Sequence, residues 1–240
     1  MTTSYRNAPE PKIVIVDFAS GVNRDELWPT ANALTKQANL HFALPPPFGY
    51  GVGATVRVAT PKTPPKPDEW VLGLFSEPDQ PDALGYHDQS EHGLPMLKVF
   101  PMLDTQDGTS WSVTASHEVL ETLADPNLAR CAQAPDGKFW AYEVCDAVET
   151  DTYEIDGVTL SNFVLPPYFE PPAKLDGVKF DHMGLIKKPY EIRPGGYGQY
   201  WSTNGWKQVL AHKGPRAARL KIGEMRIGRG AHRAGRILTE

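Results

Sequence analysis

The sequence predicts an α/β chain in the looser α+β sense. A twisted sheet lies over two main helices, followed by a mostly β C-terminal part and a basic tail. Three observations carry this. Residues 12–18, KIVIVDF, are apolar and rich in β-branched side chains, as in a buried strand. In 25–38, Leu27, Ala31, Leu34 and Ala38 fall near helical spacing. A second helical stretch, 111–126, reads WSVTASHEVLETLADP, with Val113, Val119, Leu120 and Leu123 as its apolar positions. Strand-like runs precede it and hairpin signals follow it, which is the layered pattern of an α/β sandwich.

The chain has 240 residues, enough for one large domain or two small ones. Hydrophobic residues make up 40% and charged residues 22%, the balance of a soluble globular protein. The 23 prolines place many segments in loops or edge strands. No apolar run approaches the roughly 20 residues of a membrane span. The opening MTTSYRNAPEPK has no apolar core of a signal peptide, so the expected location is the cytoplasm or a virion. Cys131 and Cys145 are too few for a disulfide scaffold and suit a reducing compartment, as a buried pair or incidental thiols. The net charge of −5 hides an asymmetry: 213–240 holds eight basic and two acidic residues, +6, leaving −11 for the remainder. Such a tail could bind nucleic acid or another acidic surface. It has no interleaved aromatics for base stacking, which favours a solvated or partner-bound tail.

In chain order, 1–11 is expected as an arm, and 12–149 as the main domain. Ser20 or Asn23 caps the first helix. Residues 40–44 read as a second strand ended by Pro45, Pro46 and Pro47, and FGYGVGA as a connection. Alternation over 54–59 predicts a strand, and a proline cluster separates it from the buried run 70–75, WVLGLF. Residues 77–91 read as a polar loop containing His87. Residues 97–100 read as a short strand near an edge, between Pro95 and Pro101, and LDTQDGTS as a turn-rich lead into the second helix. There Ser112 or Thr114 is the expected N-cap and Asp125-Pro126 the stop. Asp156-Gly157 predicts a hairpin within 150–167, and Asn204-Gly205 another between YWST and WKQVL. The β-rich part is expected over 150–212 and the basic tail over 213–240. Pro194-Gly195-Gly196-Tyr197-Gly198 lacks a strand-to-helix context and a phosphate-binding Lys-Ser/Thr, which excludes a nucleotide loop. Trp201, Trp206 and Tyr200 read as a packed aromatic cluster or a partner surface. His182, His212 and His232 have no visible partners and read as surface residues.

The chemistry concentrates in HEVLE of the second helix. His117 and Glu121, at i and i+4, stand on one face and can hold one divalent ion. Asp125 lies a turn further along that stripe. Glu118 is rotated by about 100° and is placed to act as a general base on a water activated by the ion. The competing reading is a solvated helix face carrying three acids.

The order of elements over 12–126 resembles the N-terminal half of the zincin metallopeptidases. In those a strand-helix-strand layer precedes the active-site helix, and an edge strand takes the substrate peptide by β-pairing. The zincin signature is H-E-x-x-H, whereas this chain has H-E-x-x-E, with Glu121 replacing the second histidine. SHEVLETLADP also resembles the helix of uncharacterised zincin-like proteins of bacteria and phages. In those a tryptophan and an E-x-x-D string follow, as Trp140 and 143–146, EVCD, do here. The ending FDHMGLIKKPYEIRPGGYGQYWSTNG is similar to that group as well.

The resemblance implies a zinc site with a downstream acid as third ligand. Glu143 is the preferred candidate, and Asp146 is an orienting acid or alternate ligand. Tyr142, Tyr153 and His87 are candidate oxyanion donors, and Cys145 a candidate soft ligand. One imidazole among several carboxylates makes an oxygen-rich site, which shifts preference somewhat toward manganese, calcium or magnesium. Two functions follow. One is a metal-dependent peptidase with Glu118 as base, acting on a peptide or protein. The other is a virion or assembly component whose zincin-like fold keeps a structural or vestigial metal, with other subunits as partners. A nucleic-acid module resting on the tail is third.

Overall fold

A computed structural model gives the architecture. It describes residues 10–19, 22–79, 84–90, 93–203 and 205–211. The expected basic tail, His212, His232 and Asn204 lie outside these, as does most of the expected N-terminal arm.

The chain is a mixed α/β structure built on three sheets. The main sheet contains β1 (Lys12–Asp17), β2 (Thr55–Val58), β3 (Trp70–Leu74), β4 (Gly85–Gln89) and β5 (Pro95–Val99) in the order β2-β1-β3-β5-β4. Pairings among β2, β1, β3 and β5 are parallel, while β4 runs antiparallel along β5 at one edge. Its two main helices are α1 (Arg24–Lys36) and α3 (Trp111–Ala124). The core joins Ile13, Ile15, Leu72, Leu74 and Leu97 from the sheet to Leu27, Leu34, Val119 and Leu120 from the helices. Apolar burial of that kind is the main favourable term of folding.

Asn23 caps α1 by accepting the Asp25 N–H, as its side chain predicts. The run 40–44 is not a strand. After Lys36 the chain continues as a π turn, Gln37–Phe42, with the Ala43 N–H donating to Ala38 O. Buried Phe42 follows from that continuation, and Gln37 donates to Ser161 O (2.9 Å) and the Tyr153 hydroxyl (3.1 Å).

Two expectations around the second half of the sheet are corrected. Residues 77–91 are not all loop, since 85–89 forms β4. GYHDQ has a glycine and three polar residues and no alternation of apolar ones, so its strand character comes from pairing with β5, His87 opposite Leu97. The strand expected over 97–100 runs from Pro95 to Val99 and lies one strand in from the edge, with β4 outside it. The turn-rich lead-in contains α2 (Pro101–Gln106), whose buried Asp104 accepts the Thr114 hydroxyl (2.7 Å) and so fastens α2 to α3. Ser110, a little before the expected residues, caps α3, and the helix stops at Asp125.

Beyond α3, β6 (Cys131–Gln133) and β7 (Phe139–Ala141) form a four-stranded sheet with β10 (Tyr197–Ser202) and β11 (Gly205–Leu210), in the order β11-β10-β7-β6. A turn of 3₁₀ helix, Asp146–Val148, follows β7. β8 (Thr152–Ile155) and β9 (Val158–Ser161) make the hairpin predicted at Asp156-Gly157. Both turn residues have positive φ, 51° and 77°, which a two-residue I′ turn requires. The short helix α4 (Pro166–Phe169) follows the hairpin. Trp201 packs edge-on against Trp206. His182 is not a free surface residue. Its half-buried ring stacks on His41 (4.6 Å) and Phe163 (5.0 Å), and burial lowers its pKa to about 4.

Hydroxyls on α3 hold β9 in place. Ser112 donates to Thr159 O (2.7 Å), and the Ser161 N–H donates to Ser116 Oγ (2.6 Å). Ser116→Ala leaves that buried N–H without its acceptor, at a cost of about 1–3 kcal/mol. Urea unfolding of Ser116→Ala should show a lower midpoint with an unchanged slope. An unchanged midpoint would show that this bond contributes nothing.

Candidate metal centre

Every residue of α3 is buried, so its acids do not form a solvated face. Asp125 caps the chain that follows, its two carboxylate oxygens accepting the Ala129 (3.0 Å) and Arg130 (2.9 Å) N–H groups. His117, Glu118 and Glu121 sit inside the protein, in the layer between α3, β4 and the segment after β7.

Within that layer His117 is the centre of a carboxylate ring. Its Nε2 lies 3.1 Å from Glu121 Oε1 and 3.3 Å from Asp146 Oδ1. Its Nδ1 lies 3.1 Å from Glu149 Oε2. Asp146 opens the 3₁₀ turn and Glu149 ends it, which brings one acid to each ring nitrogen of the imidazole. The Cys145 N–H donates to Glu121 Oε1 (3.2 Å), fixing that carboxylate from below. Glu143, the preferred third acid in the sequence reading, instead groups with His87 and Glu121, donor atoms lying within 4.8 Å of one another. Asp146 is therefore the acid that shares His117 Nε2 with Glu121.

His87 was expected in a loop and is found in the cluster. It is 2% exposed on β4, with Nδ1 at 3.0 Å from Glu118 Oε2 and 3.8 Å from Glu121 Oε2. The approach of β4 to α3 depends on Gly85. A Cβ there would lie 2.6 Å from Thr114 Cγ2, 2.8 Å from Lys98 O and 3.3 Å from Glu118 Cγ. A side chain at this position would push the edge strand off the helix and carry His87 away from Glu118. A small cavity opens at this point, lined by Leu84, Gly85, Val113, Thr114, His117, Glu118 and Glu149.

The other sequence candidates fall elsewhere or play other parts. The Tyr153 hydroxyl engages Gln37 and His41, and Tyr142 stacks on Phe169 (4.2 Å) beneath Arg130. Cys131 and Cys145 are not joined in a disulfide. Cys145 lies with His117 and Glu121 in a group compact enough to hold an ion, and burial raises its pKa well above the ordinary thiol value. Glu149 was missed by the sequence reading. The signal available was its place three residues after Asp146, one 3₁₀ turn along.

The electrostatics match a site built for a cation. Burial alone would lower the His117 pKa, but Glu121, Glu149 and Asp146 outweigh it and raise the imidazole well above 6.5. Burial pushes Glu121 up; His117 opposes this, Asp146 and Glu143 add to it, and the carboxyl reaches about 7. The donors close enough together to hold a divalent ion group as His117 with Glu121 and Cys145, His87 with Glu121 and Glu143, and His117 with Asp146 and Glu149.

Comparison with protein-family models, curated proteins and solved structures returns no match.

The raised pKa values fix a pH dependence for the metal-free chain. Glu121 and His117 both hold their protons more tightly folded than unfolded. The stability linked to Glu121 is fully present below its ordinary value of 4.5 and is lost as pH rises through about 7. That linked to His117 is present below 6.5 and lost above the raised value. The melting temperature of chelator-treated protein should therefore fall between about pH 5 and about pH 8, and Glu121→Gln should flatten the fall. A rise over this range in both proteins would contradict the burial of these groups.

Proposed function

We propose that the chain is a metal-dependent hydrolase of zincin type acting on a peptide or protein, with zinc as the preferred ion. The observation that carries this is the meeting of His117 Nε2, Glu121 Oε1 and Asp146 Oδ1 within 3.1–3.3 Å of the imidazole nitrogen, with Glu118 at the adjacent cavity. The mixed sheet supports it too. The antiparallel edge strand β4 lies against the HExxE helix and, among the described residues, pairs with a strand on one side alone.

His117, Glu121 and Asp146 would hold the ion, which when bound acidifies a water and polarises a carbonyl. Glu149 Oε2 lies 3.1 Å from His117 Nδ1 and pairs with that edge of the ring by charge, while Nε2 faces Glu121 and Asp146. Glu118 is the general base, one turn-step from the ion ligands and open to the cavity. His87 Nδ1 lies 3.0 Å from Glu118 Oε2 and helps to position that carboxylate. Thr114 forms the cavity wall beside Glu118 and is itself held by Asp104.

Elemental mass spectrometry on protein purified without chelator, beside the His117→Ala/Glu121→Ala double variant, tests the site. Zinc at one equivalent or more that is lost in the double variant is expected. Peptide hydrolysis should then fall by about 10²–10⁴-fold in Glu118→Gln, with metal content retained. Metal without turnover in the parent protein would shift the reading to an assembly or virion component with a structural ion. No metal in either protein would overturn the hydrolase.

A further inference from the structure

We propose that the pocket holds two divalent cations, with Glu121 as the carboxylate between them. This rests on the reading of the His117 site above and extends it. Glu121 is fully buried, and its two oxygens face different imidazoles. Oε1 is 3.1 Å from His117 Nε2, and Oε2 is 3.8 Å from His87 Nδ1. The first position gathers His117, Glu121 and Asp146. The second gathers His87, Glu121 and Glu143, whose donor atoms lie within 4.8 Å of one another, with Glu118 Oε2 at 3.0 Å from the same His87 nitrogen. Each position therefore has its own imidazole and its own carboxylate besides the shared one. The donors of the second come from three elements, β4, α3 and the segment after β7, as a convergent site requires.

Charge favours double occupancy independently of the geometry. Glu118, Glu121, Glu143, Asp146 and Glu149 are each at most 7% exposed and face two imidazoles. Burying several acids side by side is expensive, and each divalent ion placed among them lowers that cost. A bridging carboxylate sets two ions about 3.5–4 Å apart, the separation of two-metal hydrolytic sites. The competing occupant of the second position is a proton on His87, making an ion pair with Glu118.

Manganese separates these. The full chain is stripped with chelator, loaded with Mn²⁺, desalted and measured by elemental mass spectrometry and electron paramagnetic resonance. Two equivalents and the signal of an exchange-coupled pair are expected. His87→Asn and Glu143→Gln should each drop the count to one and give a single-ion signal. The parent protein decides the matter even where a variant fails to fold. One equivalent with a single-ion signal, unchanged by His87→Asn, overturns the pair while leaving the His117 site standing. No bound ion in the parent overturns both.

Discussion

Glu121 sits between two imidazoles with no exposed surface, and an ionised carboxylate in that position must be matched by positive charge or proton. Its neighbours make the demand larger, since Asp146 and Glu143 both raise its pKa while His117 alone among its leading influences lowers it. A chain that selected only for stability would replace such a residue with a leucine, as apolar packing is often equal to or better than a buried ion network. Keeping five acids on the inside of one pocket makes sense where the missing charge arrives with a ligand. The same demand explains why both histidines are turned inward. Each supplies a nitrogen to a carboxylate oxygen at about hydrogen-bond distance, and each comes from a different layer of the fold.

The scaffold around this pocket is held by bonds that leave little freedom. Helix α3 is buried on all sides, and its hydroxyls tie it to its neighbours: Ser112 and Ser116 to the backbone of β9, Thr114 to the Asp104 carboxylate. On the opposite side Gly85 allows β4 to touch the helix directly over Glu118. Downstream, the turn at 193–196 clamps the 3₁₀ turn, as the Arg193 N–H donates to Ala147 O and Gly196 packs where a Cβ would lie 2.6 Å from the same oxygen. Asp146 and Glu149 are thus fixed by contacts made some forty residues away. Functional geometry of this kind depends on supporting groups whose own positions are locked.

The parts of this arrangement legible in sequence are those governed by local pattern. KIVIVDF announces a strand through its β-branched run, and Asp156-Gly157 announces its turn through the positive φ that both residues adopt. His117, Glu118 and Glu121 could be read together because helical spacing alone places them. β4 could not be read this way. GYHDQ is polar because it faces the pocket, and its strand geometry is imposed by β5, so the feature that makes it functional also hides its structure. The same miss made His87 look like a loop residue. The π turn after α1 misled in the opposite sense, since an apolar run bounded by prolines looks like a strand whether or not the preceding helix continues through it. Glu149 was hidden by a different cause. Its role depends on a single 3₁₀ turn, and so short an element carries no periodic signal.

The two imidazoles differ in what surrounds them, and that difference assigns the chemistry. His117 has carboxylates on both ring nitrogens, Glu149 on Nδ1 and Glu121 and Asp146 on Nε2. His87 presents Nδ1 to two carboxylates of α3, one of them the residue that the hydrolase reading needs as its base. A ligand position beside Glu118 and a general base at Glu118 are compatible where one carboxylate oxygen holds the second ion and the other faces the cavity. The cavity lined by Leu84, Gly85, Thr114, Glu118 and Glu149 lies at the beginning of the edge strand, so the position of Glu118 beside it depends on the close approach of Gly85 to α3.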